Sequence, residues 1–195
     1  MKHAIALGLL TVLLVIGVRY VGILSQREVS PDTFVTFADW CRHRGSLTLE
    51  AKYTVEKLLE IAETQRCNPA ESRLSRLIEL DLSVAEIIDI SPLASLKHLS
   101  ELDLDVNQIV DVSPLANLTN LTDLILWNNR IVDISPLANL TNLTELDLKG
   151  NQIADVSPLA NLTSLNELEL DDNRIEDVSP LANLTNLTEL DLKGN

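Results

Sequence analysis

The sequence predicts an α/β repeat solenoid, with parallel strands on a concave face, short 3₁₀ turns on the convex face and a small helical N-terminal cap. Three observations predict it. A 22-residue unit, LSELDLDVNQIVDVSPLANLTN from Leu99, returns at Leu121, Leu143 and Leu165 and begins again at Leu187; a looser copy precedes it from Leu77. Within the full units from Leu99 onward, leucines alternate with mostly charged residues and then give way to an Asn and a Ser-Pro pair. Residues 26–76 lack the unit and hold Phe34, Phe37, Trp40 and Tyr53. A unit this short cannot bury its own apolar face, so copies must stack into one continuous core.

Residues 1–25 read as a targeting segment. A short basic start, Met1-Lys2-His3, leads into an apolar run over 4–18, Arg19 interrupts it, and 20–24 is apolar again. The run has signal-peptide length and is short for a membrane span. No A-x-A site is present, so both a cleaved signal peptide and an uncleaved membrane anchor stay open. No Cys follows the run, which excludes a lipoprotein.

Residues 26–76 read as the cap. Residues 31–43 carry Phe34, Phe37 and Trp40 at helical spacing. Thr48 starts a second helix whose stripe is Leu49, Tyr53, Leu58, Leu59, Ile61 and Ala62. A solenoid needs such a cover over its first leucine layer. Cys41 and Cys67 are the only cysteines, one near the end of each expected helix. Behind an export signal they are expected to pair as one disulfide.

Residues 77–195 form five full copies and one partial copy. In the copy from Leu143, Leu146 and Leu148 alternate with Glu145, Asp147 and Lys149, the pattern of a half-buried strand. Leu143, Leu146, Leu148, Ile153, Val156, Leu159 and Leu162 are expected to point inward. Asn107, Asn129, Asn151 and Asn173 follow their strands, where an amide can satisfy turn backbone groups that would otherwise be buried without partners. The first copy has Ala85 in that column. Ser157 before Pro158 suggests a hydroxyl N-cap with Pro at the first helical position. The return segment is short, so 3₁₀ turns are expected.

The spacing NxIxDxSPLxxLxxL at this period resembles the internalin-type leucine-rich repeats of bacterial secreted and surface proteins. The resemblance covers residues 77–195. It implies a curved solenoid whose members bind other proteins through the concave surface.

Catalytic chemistry is not expected. His43 lies two residues after Cys41 and does not face it on a helix, and His98 stands alone. No G-x-S-x-G, H-E-x-x-H or P-loop is present. The Asp-x-Ser pairs recur once per unit and read as structural caps. No cofactor is implied. The formal charge is −14, and no basic patch of the kind that holds a phosphate backbone exists, so nucleic acid is an unsuitable partner.

Stacking the copies gives two acidic columns. One is Glu79, Glu101, Asp123, Glu145, Glu167 and Glu189; the other is Asp81, Asp103, Ile125, Asp147, Glu169 and Asp191. A third column is mixed: Ser83, Asp105, Trp127, Lys149, Asp171 and Lys193. The columns lack the loop-plus-carbonyl cage that Ca²⁺ prefers, so no metal site is assigned. Ile125 and Trp127 interrupt the acids together. They are the expected centre of a site for a protein or peptide ligand, possessing Asp103, Asp105, Asp123, Asp147 and Lys149 as a polar rim suited to a cationic partner. Two alternatives stand beside an exported binding module. One is a structural envelope-matrix array without a specific ligand. The other is a fragment of a longer repeat protein, suggested by the identical stretches NLTNLTELDLKGN at 139–151 and 183–195. In that case Leu168, Leu170, Ile175, Val178, Leu181 and Leu184 have incomplete cover, and the last strand offers an uncapped edge for self-association.

Overall fold

The computed structural model describes residues 33–195; the targeting segment at 1–25 lies outside the described residues. Helix α1, Phe37–Arg42, starts later than the aromatic spacing suggests. Thr36 sets the start through a capping box: its hydroxyl accepts from the Asp39 N–H at 3.2 Å, and the Asp39 carboxylate accepts from the Thr36 N–H at 3.0 Å. The Thr36 hydroxyl bond is the main reason the Asp39 carboxyl is held below its usual range. Phe34 stays outside the helix, stacked on His43 and edge-on to Trp40.

Helix α2, Leu49–Ile61, is capped by Thr48, whose hydroxyl accepts from the Ala51 N–H at 3.1 Å. Its buried face is Ala51, Thr54, Val55, Leu58 and Leu59. The expected stripe is therefore corrected: Leu49, Tyr53 and Ile61 are exposed. The buried set follows a strict three-and-four spacing that continues to Ala62, and residues 49 and 53 fall off that line. Thr54 is drawn in because its hydroxyl donates to the Asp89 carbonyl at 2.6 Å, tying α2 to the first repeat.

A third helix, α3 (Cys67–Leu74), was not expected from the periodicity. Glu63 takes a left-handed backbone (φ 49) and ends α2, so Cys67 opens α3 rather than closing α2. Cys41 and Cys67 are bonded, with Cα atoms 5.5 Å apart. Glu71 of α3 accepts from the Ala38 N–H at 2.9 Å, a second tie between α1 and α3.

Each repeat contributes one strand of three residues: β1 (Glu79–Asp81), β2 (Glu101–Asp103), β3 (Asp123–Ile125), β4 (Glu145–Asp147), β5 (Glu167–Glu169) and β6 (Glu189–Asp191). They pair in chain order as one parallel sheet, each residue opposite its equivalent in the next copy. The central Leu of β1 to β5 is buried, and the inward set named for the copy from Leu143 is buried throughout. Return segments at Ser91–Ser95, Ser113–Leu115, Ser135–Asn139, Ser157–Asn161 and Ser179–Asn183 are 3₁₀ turns with Pro in the first two positions. The Ser hydroxyl does not cap them. Instead the Asp two residues earlier accepts from the Ser N–H, at 2.8 Å for Asp155 and Ser157, because the Asp side chain folds back over the turn that precedes the Pro.

Asn107, Asn129, Asn151 and Asn173 are buried and bridge neighbouring coils. Asn129 accepts from the Ile109 N–H at 3.0 Å and donates to the carbonyls of Leu104 and Leu126 at 2.9 and 3.1 Å. Its three equivalents repeat this pattern. One residue before each Asn, and before Ala85 in the first copy, the backbone is left-handed: Val84, Val106, Asn128, Gly150, Asp172 and Gly194, with φ between 48 and 84. At the last coil the expected loss of cover is smaller than the sequence suggests. Leu168, Leu170, Ile175, Leu181 and Leu184 are all buried, with β6 paired against β5; Val178 and Leu190 remain exposed.

Candidate functional site

Outward residues of the strands make the concave face, and the parallel register sets like charges directly opposite each other. Glu101 lies across from Asp123, and Glu145 from both Asp123 and Glu167. Neighbouring strands are about 4.8 Å apart, so each pair is held at repulsive distance by the core on the other side of the sheet.

Two shallow depressions lie on this face. The larger, about 370 Å³, is walled by Glu79, Asp81, Glu101, Asp103, Asp123, Ile125 and Glu145 over the leucines of β1 and β2. The smaller, about 170 Å³, is walled by Asp123, Ile125, Glu145, Asp147, Glu167 and Glu169. Ile125 borders both and is 37% exposed. Of the residues expected at the site, Asp103, Asp123, Ile125 and Asp147 are thus brought to the depressions. Asp105, Trp127 and Lys149 stand in the adjoining row, where Trp127 is 38% exposed. Lys149 Nζ is 3.7 Å from the Asp171 carboxylate in the next coil, which draws it away from Trp127. Glu145 walls both depressions and was not singled out from sequence; its place in the uniform first column hid it.

The electrostatics follow from this crowding. Partial burial pushes the Asp105 carboxyl above its usual range, and Asp103, Asp81 and Asp147 push it further. Its Oδ1 is buried without a hydrogen-bond partner. Burial also raises Glu145, with Asp123, Glu167 and Glu101 adding to the shift, and raises Asp147 and Glu169. Crowding of this kind is relieved by positive charge or hydrogen-bond donors placed against the carboxyls. Among the described residues, no group of three or more His, Cys, Asp or Glu side chains is placed to hold a metal ion.

The family model described as "Leucine Rich repeats (2 copies)" matches residues 75–117, 119–161 and 163–195. Among solved structures, an internalin (inlF) from Listeria monocytogenes str. 4b F2365 is 36% identical with a TM-score of 0.67, over 73% of this chain and 43% of that one. An internalin C2 (inlC2) from the same strain is 51% identical with a TM-score of 0.62, over 64% of this chain and 55% of that one. The chain therefore spans about half the length of these relatives. The ectodomain of the receptor kinase SOBIR1 from Arabidopsis thaliana is 24% identical with a TM-score of 0.53, over 60% of this chain and 69% of that one, and shares the fold. No curated protein matches the sequence. The chain belongs to the leucine-rich repeat family, and its repeats are of the internalin type.

Proposed function

We propose that this chain is an exported binding module that takes a cationic protein or peptide segment on its concave sheet. The observation that carries the reading is the single apolar break, Ile125 beside Trp127, in a face whose carboxylates are forced together by the repeat register. Ile125 and Trp127 supply buried contact area once covered, and Trp concentrates binding energy at such positions. Asp103, Asp123 and Asp147 line the depressions around Ile125. Asp105 adds a further carboxyl in the adjoining row, beside Trp127. Lys149, paired with Asp171, bounds the far side of the row. The Cys41–Cys67 bond and the apolar N-terminal run support export, since disulfides persist in oxidising compartments.

Trp127 itself reports on the test. Trp40 is buried, so fluorescence changes on adding peptide arise at Trp127. Titration with a peptide carrying one leucine between lysines should shift the emission to the blue and saturate. Labelled peptide should bind Trp127→Ala about 30-fold more weakly, the equivalent of a 2 kcal/mol hot spot. Binding by Trp127→Ala at unchanged affinity, or no response to any cationic peptide, would overturn the reading.

A further inference from the structure

The residue after the inward-pointing Ile of each turn faces solvent on the flank of the solenoid, between the concave strands and the convex turns. Copies are bonded side by side here: the Gln108 N–H donates to the Ile87 carbonyl and the Arg130 N–H to the Ile109 carbonyl, each at 2.9 Å. Ile88, Val110 and Val132 therefore stand in file, and the last two are 55% exposed. The same position holds Ala154 and then Glu176, so folding does not require an apolar side chain there. Only the cap-proximal copies keep one.

The cap meets this file. Leu49 and Tyr53 of α2, which fall off its buried stripe, share a pocket of about 190 Å³ with Glu50, Glu86 and Ile88. Leu49 is 81% exposed although it opens a helix where a polar residue would serve. Two unrelated parts of the sequence, the cap helix and the repeat flank, thus converge on one exposed apolar strip that ends at Val132. Exposed apolar surface gathered in this way marks an interaction site, unlike apolar residues scattered singly.

We propose that this strip is a second docking surface, taking a partner-protein segment whose apolar side chains are set among lysines or arginines. Charge chooses the occupant. Glu50 and Glu86 wall the pocket, and Asp111 and Asp133 are exposed along the file. Asp133 is kept ionised to low pH by the Ser135 N–H that it accepts at 2.8 Å. The basic groups on these elements are Lys52, Lys57 and Arg130; Lys52 is engaged with Glu56 at 3.7 Å and Lys57 with Glu60 at 3.2 Å. A second copy of the chain would bring the same acids and a further formal charge of −14, so it fits less well.

The test uses the full chain carrying Trp127→Ala, so that the concave site proposed above does not compete, and a displayed library of random dodecapeptides. Selected peptides should combine an apolar anchor with Lys or Arg, and should bind Leu49→Glu/Val110→Glu at least about tenfold more weakly. Both positions are solvent-facing, and an unchanged thermal melt verifies that the variant is folded. Four results would overturn the proposal. The library yields no binder; the selected peptides bind the double variant undiminished; wild-type protein forms a concentration-dependent dimer that the double variant does not; or the wild type floats with neutral phosphatidylcholine vesicles and the double variant does not.

Discussion

At the cap end of the solenoid, Leu80 and Leu82 are buried in one core with Phe37, Leu58 and Leu74 of the cap helices; at the other end the equivalent Leu190 is 43% exposed. Val112 and Val156 are fully covered, and their equivalent Val178 is 46% exposed. These are the same side chains in the same unit. What differs is whether another layer lies beyond them. The comparison teaches that a consensus leucine carries no fixed energy in a repeat array: its contribution comes from the neighbouring coil.

The largest test of that contrast is deletion of core volume. Phe37 is wholly buried in the cap, so Phe37→Ala should cost about 3–5 kcal/mol, whereas Leu190→Ala should cost under about 1 kcal/mol. Urea melts of the two variants check it, and equal losses would break the comparison. Next in size is the disulfide. It closes a sequence separation of 26 residues, and Cys41→Ser/Cys67→Ser should lower stability by about 3 kcal/mol on the chain-entropy model. Mass spectrometry of protein purified without reductant should find no free thiol.

The Asn ladder offers a finer comparison, because the same bonds occur at different burial. Asn129→Ala leaves buried carbonyls and an amide unpaired and should cost about 1–3 kcal/mol. Asn195 makes equivalent bonds to Ile175, Leu170 and Leu192, but it is exposed and water can replace them. Asn195→Ala should therefore fall well below Asn129→Ala in the same melts.

Backbone strain is also distributed unevenly along the array. The left-handed position is β-branched near the cap, at Val84 and Val106, and Asn, Gly, Asp and Gly thereafter. A β-branched residue there costs about 1–2 kcal/mol, and Asn tolerates the conformation. Val106→Asn should stabilise the chain by about 1 kcal/mol; a destabilised variant would show that packing of the valine outweighs its backbone.

The smallest expected effect is a pH dependence that separates the concave face from the flank. Asp105, Glu145, Asp147 and Glu169 have raised folded-state pKa values, above ordinary values of 3.8 or 4.5. Their contribution to stability is complete below those ordinary values and is lost as pH rises through the folded values. Asp133, Asp155 and Asp177 are lowered from 3.8 by their Ser partners, so they stabilise above 3.8 and lose that as pH falls further. The melting temperature should rise as pH is lowered from neutral toward 4.5 and drop below 3.8. Asp105→Asn should flatten the rise, and an unchanged slope would show that crowding on the sheet is not its source.

Repeat period, strand position, inward leucines and the Asn column were all legible from residue pattern alone, because each is dictated locally and copied with every unit. Sequence also placed Ile125 and Trp127 on one outward face, since strand side chains alternate with period two. It did not reveal which outward residues enclose a depression. That depended on how strands stack: Asp123, Ile125 and Glu145 reach both hollows, while Asp105, Trp127 and Lys149 fall one row aside. The left-handed column could have been read from Asn128, Gly150, Asp172 and Gly194, yet the valines near the cap masked it.

The cap was least legible, and the reason is physical. Its helices are short, so helical spacing over a few residues does not decide which side faces inward. The sequence by itself determined that this chain is a stack of leucine layers with an acidic outward face, since the unit repeats and cannot bury itself alone. Only the tertiary structure decided that α3 exists, that Thr54 turns inward to meet Asp89 while Leu49 and Tyr53 turn outward, and that Val178 is uncovered while Leu170 is not. Those outcomes rest on contacts between segments far apart in the chain, which no local pattern encodes.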